Sequence, residues 1–138
     1  MRTLIVEDNF TSRLLLRRLL AEYSECDVAV NGWEAIEAYK CALKSDHPYD
    51  LICLDILMPG LGGQESLREL RRLEAEANLD ENKRVKIIIV TAVGDREQIE
   101  AAARGNCQAY LVKPIDKARL LSKLQALDLV KVNPQCES

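Results

Sequence analysis

A chain of 138 residues, 48% hydrophobic and 30% charged, has the size and composition of one folded domain. Its formal net charge of −3 comes from acids and bases mixed along the chain, which argues against nucleic acid as a direct partner. The amino terminus lacks the features of a signal peptide, and no apolar run approaches the ~18 residues of a membrane span. The five cysteines show no Cys-x-x-Cys spacing, so we expect free thiols in a cytoplasmic protein without membrane insertion.

Apolar residues recur at two spacings, one typical of buried strands and one typical of amphipathic helices. The pattern predicts, in chain order, a strand at residues 3–6, a helix at 10–23, a strand at 26–30, a helix at 33–46, a strand at 51–54, a helix at 64–77, a strand at 85–90, a helix at 95–104, a strand at 109–112 and a helix at 117–127. Asp8 or Asn9 is expected to cap the first helix, and Asp116 the last. On the first helix we expect a buried face formed by Phe10, Leu14, Leu15, Leu19 and Leu20, with Arg13, Arg17 and Arg18 turned away.

The alternation of five strands with five helices predicts an α/β fold. The strands are nearly continuous apolar runs, as expected for a parallel sheet covered by helices on both faces. No repeat or linker divides the chain, so we expect one domain over residues 1–127 and a short tail over 128–138. Such doubly wound sheets bind ligands at the carboxyl ends of their strands.

Polar side chains stand at those ends in four of the predicted strands. Glu7 and Asp8 follow the first strand, Asp55 the third, Thr91 the fourth and Lys113 the fifth. Three carboxylates brought together at one edge would repel, by roughly 4 kcal/mol for a pair at 4 Å and an effective dielectric of 20. A divalent cation would relieve this repulsion, and oxygen ligands with retained waters favour Mg²⁺.

The same set of groups suits phosphoryl transfer to a carboxylate. Such a transfer needs a fixed nucleophile and neutralisation of the charge on the transferred oxygens. Asp55 could serve as the nucleophile, since carboxylates that form aspartyl-phosphates are an established covalent strategy. Lys113 and Thr91 would then supply a positive charge and a hydrogen bond beside it.

These landmarks closely resemble the receiver domain of two-component response regulators, including the single-domain chemotaxis type. The resemblance spans about residues 2–127 and rests on Glu7-Asp8, Asp55 with Met58-Pro59-Gly60 behind it, Thr91-Ala92 and Lys113-Pro114. It implies a flavodoxin-like five-stranded parallel sheet with strand order 2-1-3-4-5, five helices and a cis peptide bond at Lys113-Pro114.

By this resemblance, Asp55 accepts a phosphoryl group from a phosphohistidine on a histidine kinase or a histidine phosphotransfer protein. Asp8 and Asp55 bind Mg²⁺ directly, together with the backbone carbonyl of Leu57, whereas Glu7 binds it through water. The protein is then a phosphoacceptor that assists its own phosphorylation and dephosphorylation, and not a metabolic enzyme.

The resemblance also implies a switch. Lys113 pairs with one phosphoryl oxygen, Thr91 moves to hydrogen-bond another, and the backbone amides of Leu57 and Ala92 bind the phosphoryl group. Tyr110 occupies the position of the family's switch aromatic, which turns inward when Thr91 moves. A downstream protein would bind the surface formed by the predicted fourth helix, the fifth strand and the last helix.

The sequence departs from the common pattern at two variable positions. Leu57 lies two residues after the phosphoacceptor and Val93 two residues after the threonine, and both are apolar. Because neither side chain can orient an attacking water, we hypothesise a comparatively long-lived aspartyl-phosphate. The charged stretch 80–84 is long for a connection, and is either a tolerated surface insertion or a contact specific to a partner.

We expect a stand-alone receiver that signals by binding a partner, because the residues after 127 are too few for a DNA-binding domain. One alternative is a receiver cut from a hybrid kinase or a larger regulator. A more distant alternative is a haloacid-dehalogenase-like phosphatase, which also uses an aspartate nucleophile and Mg²⁺. That family needs a second aspartate two residues after the first, where this chain has Leu57.

Overall fold

Strands and helices alternate along the chain, as the sequence pattern predicts. The computed structural model describes residues 1–56, 58, 60–92 and 106–131. Its elements are β1 (Arg2–Val6), α1 (Phe10–Leu20), β2 (Glu25–Ala29), α2 (Gly32–Leu43), β3 (Leu51–Asp55), α3 (Gly63–Glu76), a 3₁₀ turn (Glu81–Lys83), β4 (Lys86–Thr91), β5 (Ala109–Val112) and α4 (Lys117–Ala126). The helix predicted at 95–104 lies outside the described residues, as does most of the predicted tail.

The strands form one parallel sheet in the order β2-β1-β3-β4-β5. This arrangement confirms the predicted doubly wound fold and its strand order. β3 lies at the centre, and all five of its residues are buried, including the terminal Asp55. The Lys113–Pro114 peptide bond is cis, as the resemblance implies.

Each face of the sheet buries its own apolar core, because alternate residues of a strand point to opposite faces. The face covered by α2 and α3 contains Leu4, Val6, Ile52, Leu54, Ile87 and Ile89. The face covered by α1 and α4 contains Ile5, Cys53, Ile88, Val90, Leu16, Leu20, Leu120 and Leu124. Burial on both faces explains why the strands are continuous apolar runs in the sequence.

The predicted buried face of α1 is partly wrong. Leu16 and Leu20 are buried, whereas Phe10 is 67% exposed and Leu14 and Leu15 are also exposed. Leucines at 14, 15, 16, 19 and 20 cover much of the helix circumference, so periodicity alone could not select the side that meets the sheet. The helix also ends at Leu20, before the predicted residue 23.

A buried polar network lies near the amino end of β4. The Glu74 carboxylate is fully buried and accepts hydrogen bonds from the Tyr39 hydroxyl (2.5 Å) and the Val85 backbone N–H (2.7 Å). The Arg71 guanidinium donates to Glu74 (2.7 Å), to the Val85 carbonyl (2.9 Å) and to the Asn106 carbonyl (2.9 Å). Burial, together with Glu74, raises the pKa of Tyr39 far above its ordinary value, so this hydroxyl keeps its proton. The network ties α2 and α3 to the sheet.

Among the described residues, no helix is both long enough and apolar enough to span a membrane.

Candidate functional site

Three acidic side chains converge at the carboxyl edge of the sheet. Glu7 and Asp8 directly follow β1, and Asp55 is the last residue of β3, which pairs with β1. One carboxylate oxygen from each lies within 4.8 Å of the others. Glu7 is 1% exposed and Asp55 5% exposed, whereas Asp8 is open to solvent. The site is therefore a buried acidic pocket with one accessible carboxylate.

Asn9, and not Asp8, is the N-cap residue of α1. The Asn9 side chain accepts a hydrogen bond from the Ser12 backbone N–H at 2.9 Å, which satisfies one of the free donors at the helix start. Asp8 thus stays at the acidic pocket. The predicted cap at the last helix is also present, since the Asp116 side chain accepts from the Arg119 backbone N–H at 2.8 Å.

Lys113 brings the positive charge of the site. Its Nζ lies 2.6 Å from Glu7 Oε1 and 3.7 Å from Asp55 Oδ2. The sequence predicts the lysine at this edge but not its pairing with Glu7, because Glu7 and Lys113 are 106 residues apart. In this arrangement Lys113 touches both buried acids of the pocket.

The pKa shifts of this pair favour its charged form. Burial raises the pKa of Glu7, but hydrogen bonds with Asp55 and Lys113 lower it more, so the net shift is downward. Burial lowers the pKa of Lys113, but Glu7 and Asp55 raise it more, so the net shift is upward. Lys113 contacts two of the three acidic groups, and its single charge does not balance all of them.

The donors of the pocket fit a hard divalent cation. They are carboxylate oxygens, which Mg²⁺ prefers, and exposed Asp8 leaves room for retained waters. Asp8 and Asp55 would hold such an ion directly, with Glu7 behind them. The carbonyl and amide of Leu57 lie outside the described residues, and so does Val93.

Thr91 lies on β4 and Tyr110 on β5, on the side of the central strand β3 opposite to β1. Thr91 ends β4 and is completely buried, and its hydroxyl donates to the Ala92 carbonyl at 3.4 Å. Tyr110 is 39% exposed on the edge strand β5, where it pairs in register with Ile89. Its ring borders a groove of about 450 Å³ between β5 and α4. Thr91 is therefore at the site, and Tyr110 stands on the adjoining surface.

Two residues at the site were not predicted from the sequence. Arg13, expected to turn away, donates to the backbone carbonyls of Glu7 (3.0 Å) and Asp8 (3.2 Å) and so holds the segment after β1. Gly63 begins α3 against the Asp55 backbone, where an added Cβ would lie 2.5 Å from the Asp55 carbonyl oxygen. A glycine at a helix start is the only sequence sign of such a close approach.

The chain matches the family model described as the response regulator receiver domain over residues 3–125. The chemotaxis protein CheY of Halobacterium salinarum is 32% identical over 124 residues, covering 89% of this chain and 92% of that protein. The sensory/regulatory protein RpfC of Xanthomonas campestris is 29% identical, and the match covers 92% of this chain but 16% of that longer protein.

Solved structures agree with this match. The receiver domain of a sensor histidine kinase from Pseudomonas aeruginosa PAO1, with magnesium coordinated in its active site cleft, is 29% identical with a TM-score of 0.69, covering 91% of this chain and 94% of that one. The receiver domain of a histidine kinase from Arabidopsis thaliana is 27% identical with a TM-score of 0.77, covering 92% and 89%. The chain is a member of the response regulator receiver domain family, the signalling module of two-component systems.

Proposed function

We propose that the protein is a phosphorylation switch whose phosphoacceptor is Asp55. The observation that carries the proposal is the position of this carboxylate. It ends the central strand, is buried, and lies beside the acids that follow β1 and 3.7 Å from the ammonium of Lys113. Because the chain belongs to a signalling family, we prefer this function to that of a haloacid-dehalogenase-like phosphatase.

In the proposed transfer, an Asp55 carboxylate oxygen attacks the phosphorus of a phosphohistidine on a histidine kinase or a histidine phosphotransfer protein. The phosphorus–nitrogen bond breaks, the imidazole leaves, and an acyl phosphate forms. Asp8 and Asp55 would hold Mg²⁺ together with the Leu57 carbonyl, Glu7 would act through water, and the ion would supply charge neutralisation. Lys113 shifts toward a phosphoryl oxygen from its position 3.7 Å from Asp55.

The proposed response begins at Thr91, whose hydroxyl leaves the Ala92 carbonyl for a phosphoryl oxygen. The backbone amides of Leu57 and Ala92 hold the same group, and Tyr110 turns inward. Because Tyr110 borders the groove between β5 and α4, this movement reshapes the surface on which a downstream protein would bind. By the resemblance, the helix predicted at 95–104, outside the described residues, would contribute to that surface.

Acetyl phosphate with Mg²⁺ tests the proposal without knowledge of the kinase. Intact-mass spectrometry should show a gain of one phosphoryl group in the wild type and none in Asp55→Asn. The matched control is Asp50→Asn, which changes a carboxylate at the opposite end of β3 and should still gain the group. Equal incorporation in wild type and Asp55→Asn would contradict the assignment.

Both stand-alone and multidomain settings fit this switch. The match to the Halobacterium protein spans nearly all of that relative, whereas the match to RpfC spans a small part of it. We favour a stand-alone cytoplasmic receiver that acts by binding a protein partner. A receiver that belongs to a hybrid kinase would use the same residues, with its partner domain in the same chain.

A further inference from the structure

A groove of about 550 Å³ runs between α2 and α3, away from the acidic pocket. Its apolar lining comes from Ile36, Leu61 and Trp33, and Trp33 is 63% exposed. The start of α2 packs on the start of α3, since Gly32 lies against Leu61 and Ser66. A largely exposed tryptophan beside apolar neighbours is typical of a contact surface.

Charged residues line both sides of this groove, with Glu37 and Lys40 on α2, and the α3 side has a self-complementary order of charges. Glu65, Arg68, Glu69 and Arg72 all line it, at the i, i+3, i+4 and i+7 positions of α3, which share one helix face. Their signs alternate from negative to positive along the helix. Read in the opposite direction, the same stripe has the opposite sign at every position. Two antiparallel copies of α3 would therefore place each of these four charges against an opposite one.

The present partners of these side chains leave them available for such a contact. Arg72 forms ion pairs with Glu69 and Glu76 on its own exposed helix face. Glu65 and Arg68 form no ion pair with any residue in the described part of the chain. Exposed ion pairs within a helix contribute little to stability, so exchanging them for contacts with another molecule costs little.

We propose that the α2–α3 groove binds a second copy of this chain, in a two-fold dimer whose α3 helices run antiparallel. The two-fold axis passes between Arg68 and Glu69, so Arg68 of each copy meets Glu69 of the other. Glu65 of each copy meets Arg72 of the other. Trp33, at the Glu65 end of the groove, then lies near the Arg72 end of the opposing copy, where a guanidinium can stack on the indole.

The dimer contact reaches the segment that follows the candidate phosphoacceptor. Leu61 belongs to the loop between Asp55 and α3, and it lines the groove beside Trp33. The surface is distinct from the groove beside Tyr110, which lies across the sheet between β5 and α4. Dimerisation through α2 and α3 thus leaves that second surface free for another protein.

Sedimentation equilibrium with the full chain tests the arrangement by charge exchange. The wild type should associate in a concentration series extending to about 1 mM. Arg68→Glu and Glu69→Arg should each weaken self-association at least about tenfold, because each substitution creates two like-charge contacts across the axis. An equimolar mixture of the two variants should dimerise again, since both central contacts then join opposite charges.

Arg18→Glu is the matched control, because it reverses an exposed charge on α1, on the other face of the sheet. This variant should dimerise like the wild type, and circular dichroism should show all four proteins equally folded. A wild type that stays monomeric throughout the series would overturn the proposal and leave the groove to a protein of another sequence. Failure of the mixture to dimerise would overturn the antiparallel register.

Discussion

Glu7 and Glu74 are both buried glutamates, with 1% and 0% of their surface exposed, and they lie at opposite ends of the sheet. Glu74 accepts hydrogen bonds from Tyr39, Val85 and Arg71. Glu7 is paired with Lys113 but also stands beside Asp8 and Asp55. The Glu74 carboxylate has three hydrogen-bond donors, including a positive one, whereas the Glu7 carboxylate belongs to a cluster of three acids.

The difference separates a structural acid from an acid of the candidate site. A buried charge is tolerated where donors and a counter-charge surround it, as they surround Glu74. At the Glu7 end, Lys113 contacts two of the three acidic groups and Arg13 donates to the backbone carbonyls of Glu7 and Asp8, so we expect a cation from solution to balance the remaining charge. Removal of an acid should therefore have opposite effects on stability at the two ends.

The largest effect is expected at the structural end. Glu74→Ala leaves Arg71, the Val85 N–H and the Tyr39 hydroxyl without their buried acceptor, and should lower the free energy of unfolding by about 3–5 kcal/mol. Urea denaturation measures this loss. Glu76→Ala is the control, because Glu76 is an exposed member of the same helix, and its loss should stay within about 0.5 kcal/mol.

The second effect concerns the acidic pocket. At a concentration ~100 times its Kd, Mg²⁺ should raise the unfolding free energy of the wild type by about 2.7 kcal/mol. Asp8→Asn should lose most of that gain, because it removes the accessible carboxylate. In the presence of a chelator, the same variant should be more stable than the wild type by about 1 kcal/mol, since one repulsive charge is gone.

Thermal unfolding with Mg²⁺ and with chelator distinguishes these outcomes. Asp46→Asn, a neutralised carboxylate outside the pocket, should respond to Mg²⁺ as the wild type does. Destabilisation of Asp8→Asn in chelator would mean that the acids of the pocket do not repel one another. The proposed contrast with Glu74 would then fail.

The third prediction concerns the lifetime of the proposed aspartyl-phosphate at the acidic pocket. Leu57→Asn introduces a polar side chain two residues after Asp55, where it can orient an attacking water. We expect it to shorten the lifetime of the aspartyl-phosphate about tenfold, equivalent to about 1.4 kcal/mol in the barrier. Decay of the phosphorylated protein after removal of the donor gives the lifetime, with Leu57→Met as the apolar control. A longer lifetime in Leu57→Asn would refute the hypothesis.

The smallest effect is expected for a half-exposed acid. Hydrogen bonding from the Tyr49 hydroxyl, together with Arg2, lowers the pKa of Asp27 below its ordinary value of 3.8. The stability from this shift is therefore present above pH 3.8 and lost as pH falls through the lower, folded-state pKa. At neutral pH, Asp27→Asn should cost well under 1 kcal/mol, because solvent screens the exposed pair.

A pH series of urea denaturation on wild type and Asp27→Asn provides the measurement. The difference in unfolding free energy between the two proteins should shrink as the solution is acidified below pH 3.8. A difference that grows on acidification would reverse the sign of the shift. Compared with Glu74, Asp27 tests whether an acid that is less buried gains less stability from its hydrogen-bond partners.

The sheet and the convergence at its edge were predictable, because strand ends meet wherever a parallel sheet forms. Asp55, Glu7, Asp8, Thr91 and Lys113 each follow or end an apolar run that the sequence displays directly. The inward face of α1 was not predictable, since its leucines point in several directions. Glu74 was hidden for another reason: with Arg71 three residues earlier, it has the spacing of an ordinary surface ion pair.

The connection between β3 and α3 is tied at both of its ends. The Ile56 N–H donates to the Val90 carbonyl, and the Gly63 N–H donates back to the Ile56 carbonyl, each at 3.1 Å. Between these anchors, Gly60 is exposed with a φ of 77°. A peptide inserted after Gly60 would enlarge a closed loop without pulling on Asp55 or α3, and lengthening such a loop is inexpensive in entropy. Protein engineers thus have a position for grafting a reporter segment close to the proposed phosphoacceptor.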